Sequence, residues 1–189
     1  MEQLTHNQLR NGSRVEIDGQ PWMIVSAQFV KPGKGQAFTK IRIKNLVDGR
    51  VIERTYKSSE TVSKADVLDK EMQYLYNDGE FWHLMDPASY EQVALPKTQI
   101  EDNIGWFKEQ QFYQVTFWGG KAISVTSPPF LALKIAECDP GVRGDTVSGA
   151  TKPATLETGV VVKVPLFVNE GEIIRVDTRT GEYVERVKE

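Results

Sequence analysis

The chain has 189 residues, of which 40% are hydrophobic, and a formal net charge of −3. This apolar content is enough for packed cores and excludes a disordered chain. There is no run of 18 apolar residues and no apolar signal-peptide segment, and Cys138 has no second cysteine to pair with. We therefore expect a cytoplasmic protein without a membrane span.

The net charge hides an asymmetry along the chain. Residues 1–64 carry +5, residues 65–128 carry −6 and residues 129–189 carry −2. A basic first third on an acidic remainder indicates a partner that meets one end of the molecule as a polyanion. The alternative is a chance fluctuation of charge between domains.

The first third predicts four or five short strands joined by tight turns, which form a small β-barrel over residues 1–64. The run VEIDGQPWMIV places Asp18-Gly19 between two apolar segments, and this dipeptide is a strong hairpin signal. Thr39 to Lys44 alternates as a strand does, and a second Asp-Gly turn precedes the alternating run VIERTYK.

The rest of the chain predicts two more strand-rich units, residues 65–128 and 129–189. In the second unit, hairpins are expected at Asp78-Gly79 and Gly119-Gly120, with a helical turn within residues 86–95. In the third, we expect a strand over 130–140, a long loop over 141–159, a buried strand over 160–168 and a closing hairpin around Thr180-Gly181. Each unit has the size of a five-stranded OB-type barrel. The predicted fold is thus all-β, with three consecutive small barrels.

The most unusual segment is KPGKGQAF, which lies between two predicted strands. Its glycines allow a turn and its proline stiffens the approach, so the segment presents a lysine at a hairpin tip. The cations Lys31, Lys34, Lys40, Arg42 and Lys44 have no acidic residue among them, which is typical of a phosphate-facing surface. A solvated hairpin with incidental lysines is the alternative. A Walker-type phosphate loop is excluded, because the upstream glycine is missing and a strand follows.

Candidate catalytic and metal-binding residues are few. His6, His83 and Cys138 are the only histidines and the only cysteine, too few for a usual zinc site. We therefore predict no catalytic residues, no metal and no cofactor, and a protein that is not an enzyme.

Three segments together resemble bacterial elongation factor P. They are KPGKGQAF (31–38), GDT (144–146) and TKPATLETGVVVKVPLFVNEGEIIRVDTRTGEYVERV (151–187). The resemblance implies a KOW-like, SH3-like barrel followed by two OB-folds. It also implies a factor that binds both ribosomal subunits beside the peptidyl-tRNA and relieves stalling at consecutive prolines during protein biosynthesis.

The resemblance further implies roles for individual residues. The tip residues Lys31, Pro32, Gly33, Lys34, Gly35 and Gln36 meet the acceptor end of the peptidyl-tRNA. Lys34 is the site of β-lysylation by an enzyme related to lysyl-tRNA synthetase, although a lysine alone does not decide between this adduct and another, or whether hydroxylation follows. Gly144, Asp145 and Thr146 approach the exit-site codon. Further contacts with tRNA or the small subunit are expected of Lys40, Arg42, Tyr183 and Arg186. A monomer is expected.

The sequence is also compatible with two rival functions. A general OB-type single-stranded RNA-binding protein would use aromatic side chains on an open sheet face, namely Phe81, Trp82, Phe117 and Trp118. The acidic character of the second unit argues against it. The other rival is a paralogue of the factor, whose tip generally departs from GKG.

Overall fold

The computed structural model describes residues 2–141 and 149–187, which form sixteen β-strands and three short 3₁₀ helices in that part of the chain. The strands make three antiparallel sheets, and this confirms the predicted all-β class. No helix within the described residues has the length and apolar character needed to cross a bilayer. Nor do the same residues contain a group of three or more His, Cys, Asp or Glu side chains suited to a metal ion.

The first sheet has six strands in the order β1-β6-β2-β3-β4-β5, one or two more than the sequence predicts. Its strands are β1 (Gln3–Thr5), β2 (Arg14–Ile17), β3 (Gln20–Val30), β4 (Phe38–Asn45), β5 (Val51–Lys57) and β6 (Thr61–Lys64), with the 3₁₀ helix η1 (His6–Gln8) after β1. The extra strands arise at the ends of the segment, because β1 pairs with β6 through Leu4 and Val62. These ends were too short to show an alternating pattern.

The core of this sheet follows from alternation along its long strands. Ile24, Ile41 and Ile43 are fully or nearly fully buried and pack with Val15 and Trp22. The predicted Asp18-Gly19 turn is confirmed, since both residues have positive φ (54° and 67°), as a two-residue hairpin with the native strand twist requires.

The second sheet has the order β11-β10-β7-β8-β9. Its elements are β7 (Val67–Asn77), β8 (Phe81–Met85), β9 (Gln92–Pro96), η2 (Lys97–Gln99), η3 (Glu101–Trp106), β10 (Phe112–Trp118) and β11 (Lys121–Thr126). The hairpins at Asp78-Gly79 and Gly119-Gly120 are confirmed. The helical turn predicted within 86–95 is confirmed as a single turn, in which the N–H of Tyr90 donates to the carbonyl of Asp86 at 2.9 Å. It precedes β9, and the 3₁₀ helices follow that strand.

A buried tyrosine fixes η3. The Tyr113 hydroxyl donates to the carbonyl of Trp106 and accepts from the N–H of Lys108, both at 2.7 Å. Burial raises the pKa of Tyr113 to about 12, so this hydroxyl remains a donor over the whole working pH range.

The third sheet has the order β14-β13-β12-β15-β16. Its strands are β12 (Phe130–Cys138), β13 (Thr151–Leu156), β14 (Val161–Pro165), β15 (Ile173–Asp177) and β16 (Glu182–Arg186). The predicted strand over 130–140 and the closing hairpin are confirmed. The predicted loop over 141–159 is wrong where it includes β13, whose residues alternate between exposed and buried. The segment 160–168 is not a fully buried strand, because β14 lies at the edge of the sheet and exposes Val161.

By its contacts the chain forms two compact units, one of Met1–Lys70 with Val115–Ser124 and one of Glu71–Gln114 with Val125–Glu189. The division into three domains with boundaries after residues 64 and 128 stays a prediction.

Candidate nucleic-acid interface

The segment that carries Lys34 is a seven-residue loop at the end of a long two-stranded arm. Strands β3 and β4 pair from Trp22↔Asn45 to Val30↔Phe38, and residues 31–37 close the arm. The expected tight turn is therefore wider than predicted. Only Gly35 has a positive φ (108°), a conformation that L side chains rarely adopt, whereas Gly33 shows no such φ.

Lys34 lies exposed in this loop. Lys31, Gly33, Gly35 and Gln36 are exposed as well, and only Pro32 is half-buried. Within residues 2–141 and 149–187, the Lys34 ammonium group forms no ion pair or hydrogen bond. The cation is thus held at the end of the arm with its full hydrogen-bonding capacity available to a partner.

A second group of cations lies along β4. Lys40, Arg42 and Lys44 are exposed and alternate with the buried side chains of Thr39, Ile41, Ile43 and Asn45. Successive cations on one face of a strand are about 7 Å apart, since each residue advances the chain by about 3.3 Å. We name Lys40, Arg42 and Lys44 the β4 cationic face; none has an ion pair with a described residue.

One acidic residue from a neighbouring strand lies beside the β4 cationic face. The stretch from residue 31 to 44 has no acidic residue, but the β4–β5 register places Glu53 directly opposite Arg42. Lys40 instead faces Thr55, and Lys44 faces Val51. The cationic character of this face is therefore reduced at its middle and retained at Lys40, the member nearest the loop.

The remaining predicted contact residues belong to the third sheet. Gly144, Asp145 and Thr146 lie outside the described residues. Tyr183 is half-buried and packs against the core of this sheet. Arg186 pairs with Glu172 (Nη1 to Oε1, 3.2 Å) and lies over the Phe167 ring at 4.9 Å. To contact RNA, Tyr183 would have to leave its packing against the core, and Arg186 would have to leave Glu172.

The aromatic residues of the rival RNA-binding hypothesis do not form an exposed stacking surface. Trp82 is 7% exposed, and its ring lies 6.5 Å from that of Phe107 in a buried cluster. Phe81, Phe117 and Trp118 are half-buried, and the ammonium group of Lys70 lies 5.6 Å from the centroid of the Phe117 ring. An OB-type platform normally offers open ring faces to successive bases. This arrangement disfavours the rival.

Two aromatic rings that are distant in sequence meet beside the loop. The rings of His6 and Phe29 stack with centroids 5.9 Å apart and planes at 30°. Phe29 precedes the loop by two residues and is 55% exposed. These side chains are 23 positions apart in sequence, so only the register of the folded arm and the position of η1 bring them together.

The first sheet of this all-β chain thus ends in a loop whose exposed lysine has no partner among the described residues. Comparison with known families gives a more specific answer. Residues 5–62 match the elongation factor P (EF-P) KOW-like domain, residues 67–125 match the elongation factor P (EF-P) OB domain, and residues 131–186 match the elongation factor P C-terminal domain. The chain belongs to the elongation factor P family, and it is a translation elongation factor.

Individual relatives agree with this assignment. The elongation factor P of Magnetococcus marinus (strain ATCC BAA-1437 / JCM 17883 / MC-1) is 63% identical over 185 residues, which cover 98% of this chain and 99% of that protein. The eukaryotic translation initiation factor 5A from Methanococcus jannaschii is similar in structure, with a TM-score of 0.52 and 25% identity over 67% of this chain and 97% of its own. A translation initiation factor eIF-5A family protein from Naegleria fowleri shares the fold at 22% identity, with a TM-score of 0.51 over 67% of this chain and 96% of its own.

Proposed function

We propose that this factor binds the ribosome beside the peptidyl-tRNA and promotes peptide-bond formation where consecutive prolines stall synthesis. The observation that carries the proposal is the exposed Lys34 at the end of the β3–β4 arm, together with membership in the elongation factor P family. The family's proteins are translation factors, a class not generally counted as enzymes.

The physical basis of the proposal is positioning. Proline has a fixed φ and a secondary amine, which make it a poor reactant in peptide-bond formation. The ribosome supplies the reaction centre, so the factor needs only to order the reacting ends, and correct placement of two reactants lowers a barrier substantially. A stiff arm with one cation at its end orders an RNA terminus through its phosphates and hydroxyls. Such an arm needs no acid–base group of its own.

We infer that Lys34 acts as a β-lysyl derivative, attached by an enzyme related to lysyl-tRNA synthetase. Lys34 is exposed and has no partner among the described residues, so a modifying enzyme can reach its amino group. The added β-lysyl group would extend the side chain and keep it cationic. The surrounding tip residues Lys31, Pro32, Gly33, Gly35 and Gln36 are proposed to meet the acceptor end of the tRNA.

Other contacts are proposed with different support. Lys40 and Arg42 are assigned to tRNA or small-subunit contacts because they belong to the β4 cationic face. The assignment of Gly144, Asp145 and Thr146 to the exit-site codon rests on the family resemblance. The assignment of Tyr183 and Arg186 has the same basis. A monomeric, cytoplasmic protein with three domains is proposed on the same ground.

A reconstituted translation reaction with a three-proline reporter tests the function. We expect Lys34→Ala to abolish stall relief while the melting temperature stays unchanged, because the side chain packs on nothing. The matched control is Lys121→Ala, which removes an exposed lysine that directly follows the Gly119-Gly120 turn of another hairpin. This control is expected to relieve stalling as the unsubstituted protein does.

Two results would count against the proposal. Full stall relief by Lys34→Ala removes the role of the tip, and equal loss in the Lys121→Ala control shows that any hairpin lysine has the same effect. Peptide mass spectrometry on protein from its native host tests the modification separately. An added mass of one lysyl residue on the Lys34 peptide supports β-lysylation, and an unmodified peptide contradicts it.

A further inference from the structure

A small hollow lies at the base of the loop that carries Lys34. It measures about 200 Å³ and is lined by His6, Asn7, Leu9, Ala27, Phe29 and Thr39. The lining residues come from η1 and the segment after it and from the facing ends of β3 and β4, where Phe29 pairs with Thr39. Only one residue pair, Val30↔Phe38, lies between this hollow and the loop.

The wall of the hollow is aromatic and accessible. Phe29 and His6 stack against each other, and 55% of the Phe29 surface is open. Nucleic-acid bases stack on accessible aromatic rings of this kind. A volume of about 200 Å³ is below the roughly 300 Å³ at which pockets for drug-sized ligands begin. The hollow therefore suits one planar group rather than a whole small molecule.

Hydrogen bonds hold the backbone around His6. The backbone carbonyl of His6 accepts the Thr39 hydroxyl at 3.0 Å, and the N–H of Thr5 donates to the Gln8 side chain at 2.9 Å, which anchors η1. The Nδ1 atom of His6 is buried and has no hydrogen-bond partner among the described residues. Native structures nearly always pair such atoms with a protein group or an ordered water, so a water molecule is the simplest partner for this nitrogen.

We propose that the His6–Phe29 hollow is a stacking site for one unpaired base of the tRNA end that the Lys34 loop meets. A base would stack on the exposed part of the Phe29 ring, beside the ring of His6. Lys31 and Lys34, in the loop that begins two residues after Phe29, supply positive charge for the nucleotide's phosphate. The inference deepens the proposed function and rests on it for the identity of the RNA.

A second aromatic pair in the chain shows what a purely structural stack looks like. Tyr76 and His83 stack at 4.5 Å and 21° on the β7–β8 hairpin, where His83 Nε2 lies 2.9 Å from Asp78 Oδ2. The imidazole of this pair has a carboxylate partner, and both residues lie on a hairpin remote in sequence from the Lys34 loop. It serves as the matched control for the test.

The first test is independent of the ribosome. The full chain, labelled for NMR, is titrated with adenosine and cytidine monophosphates while the resonances of His6, Ala27 and Phe29 are followed. We expect saturable shifts at these residues, a loss of affinity of about fivefold or more in Phe29→Leu, and near-normal binding in Phe29→Trp, which keeps a stacking surface. Tyr76→Leu should bind as the unsubstituted protein does. Absence of saturable shifts, or equal binding by Phe29→Leu, overturns the proposal.

The second test separates this inference from the proposed function. In the three-proline reaction, Phe29→Leu should raise the factor concentration needed for half-maximal stall relief about fivefold or more, with Lys34 modified to the same extent by mass spectrometry. A defect that accompanies lost modification would mean that the hollow serves the modifying enzyme, and it would overturn the proposal. If Lys34→Ala keeps full activity while nucleotides still bind at Phe29, the function fails and the hollow stands. Unchanged melting temperatures of the Phe29 variants verify that they fold.

Discussion

Gly105 provides a sharp test of the packing within the compact unit of Glu71–Gln114 and Val125–Glu189. This residue lies in η3, and a Cβ added to it would come within 2.4 Å of Val160 Cγ2, whereas ordinary van der Waals contact begins at about 3.4 Å. The next nearest atom is Val160 Cβ at 3.9 Å, which is acceptable. Gly105→Ala thus creates a single steric conflict with one methyl group.

The magnitude follows from two opposing terms. Overpacking of this kind costs about 1–3 kcal/mol of unfolding free energy, while replacing glycine by alanine within a helical segment returns about 0.5–1 kcal/mol. We expect a net loss of about 1–2 kcal/mol. For a protein of this size, each kcal/mol lowers the melting temperature by about 2–4 °C.

A double-mutant cycle identifies the cause. In a Val160→Ala background the offending methyl group is gone, so Gly105→Ala should be neutral or slightly stabilising, with a coupling energy of about 1–3 kcal/mol. Thermal and urea unfolding measure all four proteins. The control is Gly33→Ala, where a Cβ meets nothing within 4 Å and φ is not positive, so stability should hardly change. Equal destabilisation by Gly105→Ala in both backgrounds would refute the steric argument.

Two further predictions concern the loop and the third sheet. Gly35→Ala should alter the amide shifts of residues 31–37 and weaken stall relief, because its φ of 108° disfavours any Cβ although space is available, and shifts as small as those of Gly33→Ala would contradict this. The Arg179 side chain lowers the pKa of Asp177 from its ordinary 3.8 to about 2. The ionised Asp177 therefore stabilises the folded state above about pH 4, and this stabilisation is lost as pH falls from about 4 through 2. In a carboxyl titration by NMR, Arg179→Ala should raise the Asp177 pKa towards 3.8, whereas Arg175→Ala, which pairs with Glu185, should leave it unchanged.

The turns were the most predictable part of the fold. Asp-Gly and Gly-Gly dipeptides impose positive φ, so the hairpins at Asp18-Gly19, Asp78-Gly79 and Gly119-Gly120 could be located from local chemistry alone. Strand β13 could not be located in this way, because its threonines and Pro153 are typical of a loop. Pro153 is tolerated because it lies beyond the last register pair with β12, which is Cys138↔Ala154. Its missing N–H therefore leaves no ladder position unpaired on that side.

The candidate site divides in the same way. Lys34 could be predicted because its neighbours in sequence define both the turn and the charge. Two features could not be predicted. The position of Glu53 opposite Arg42 depends on strand register, and the stack of His6 on Phe29 depends on the placement of η1. Local sequence thus specifies which cation is presented, while tertiary pairing decides what surrounds it.

The two faces of β4 explain how the site is compatible with stability. One face buries Thr39, Ile41 and Ile43 in the core, and the β4 cationic face lies on the other side, where water screens like charges about 7 Å apart. Because buried and charged residues alternate along this strand, packing of the core face makes the arm rigid without burying the cations. Substitutions on the cationic face should therefore change RNA binding and its salt dependence more than they change folding. A core substitution such as Ile41→Ala should do the reverse, since it lowers stability without removing a charge.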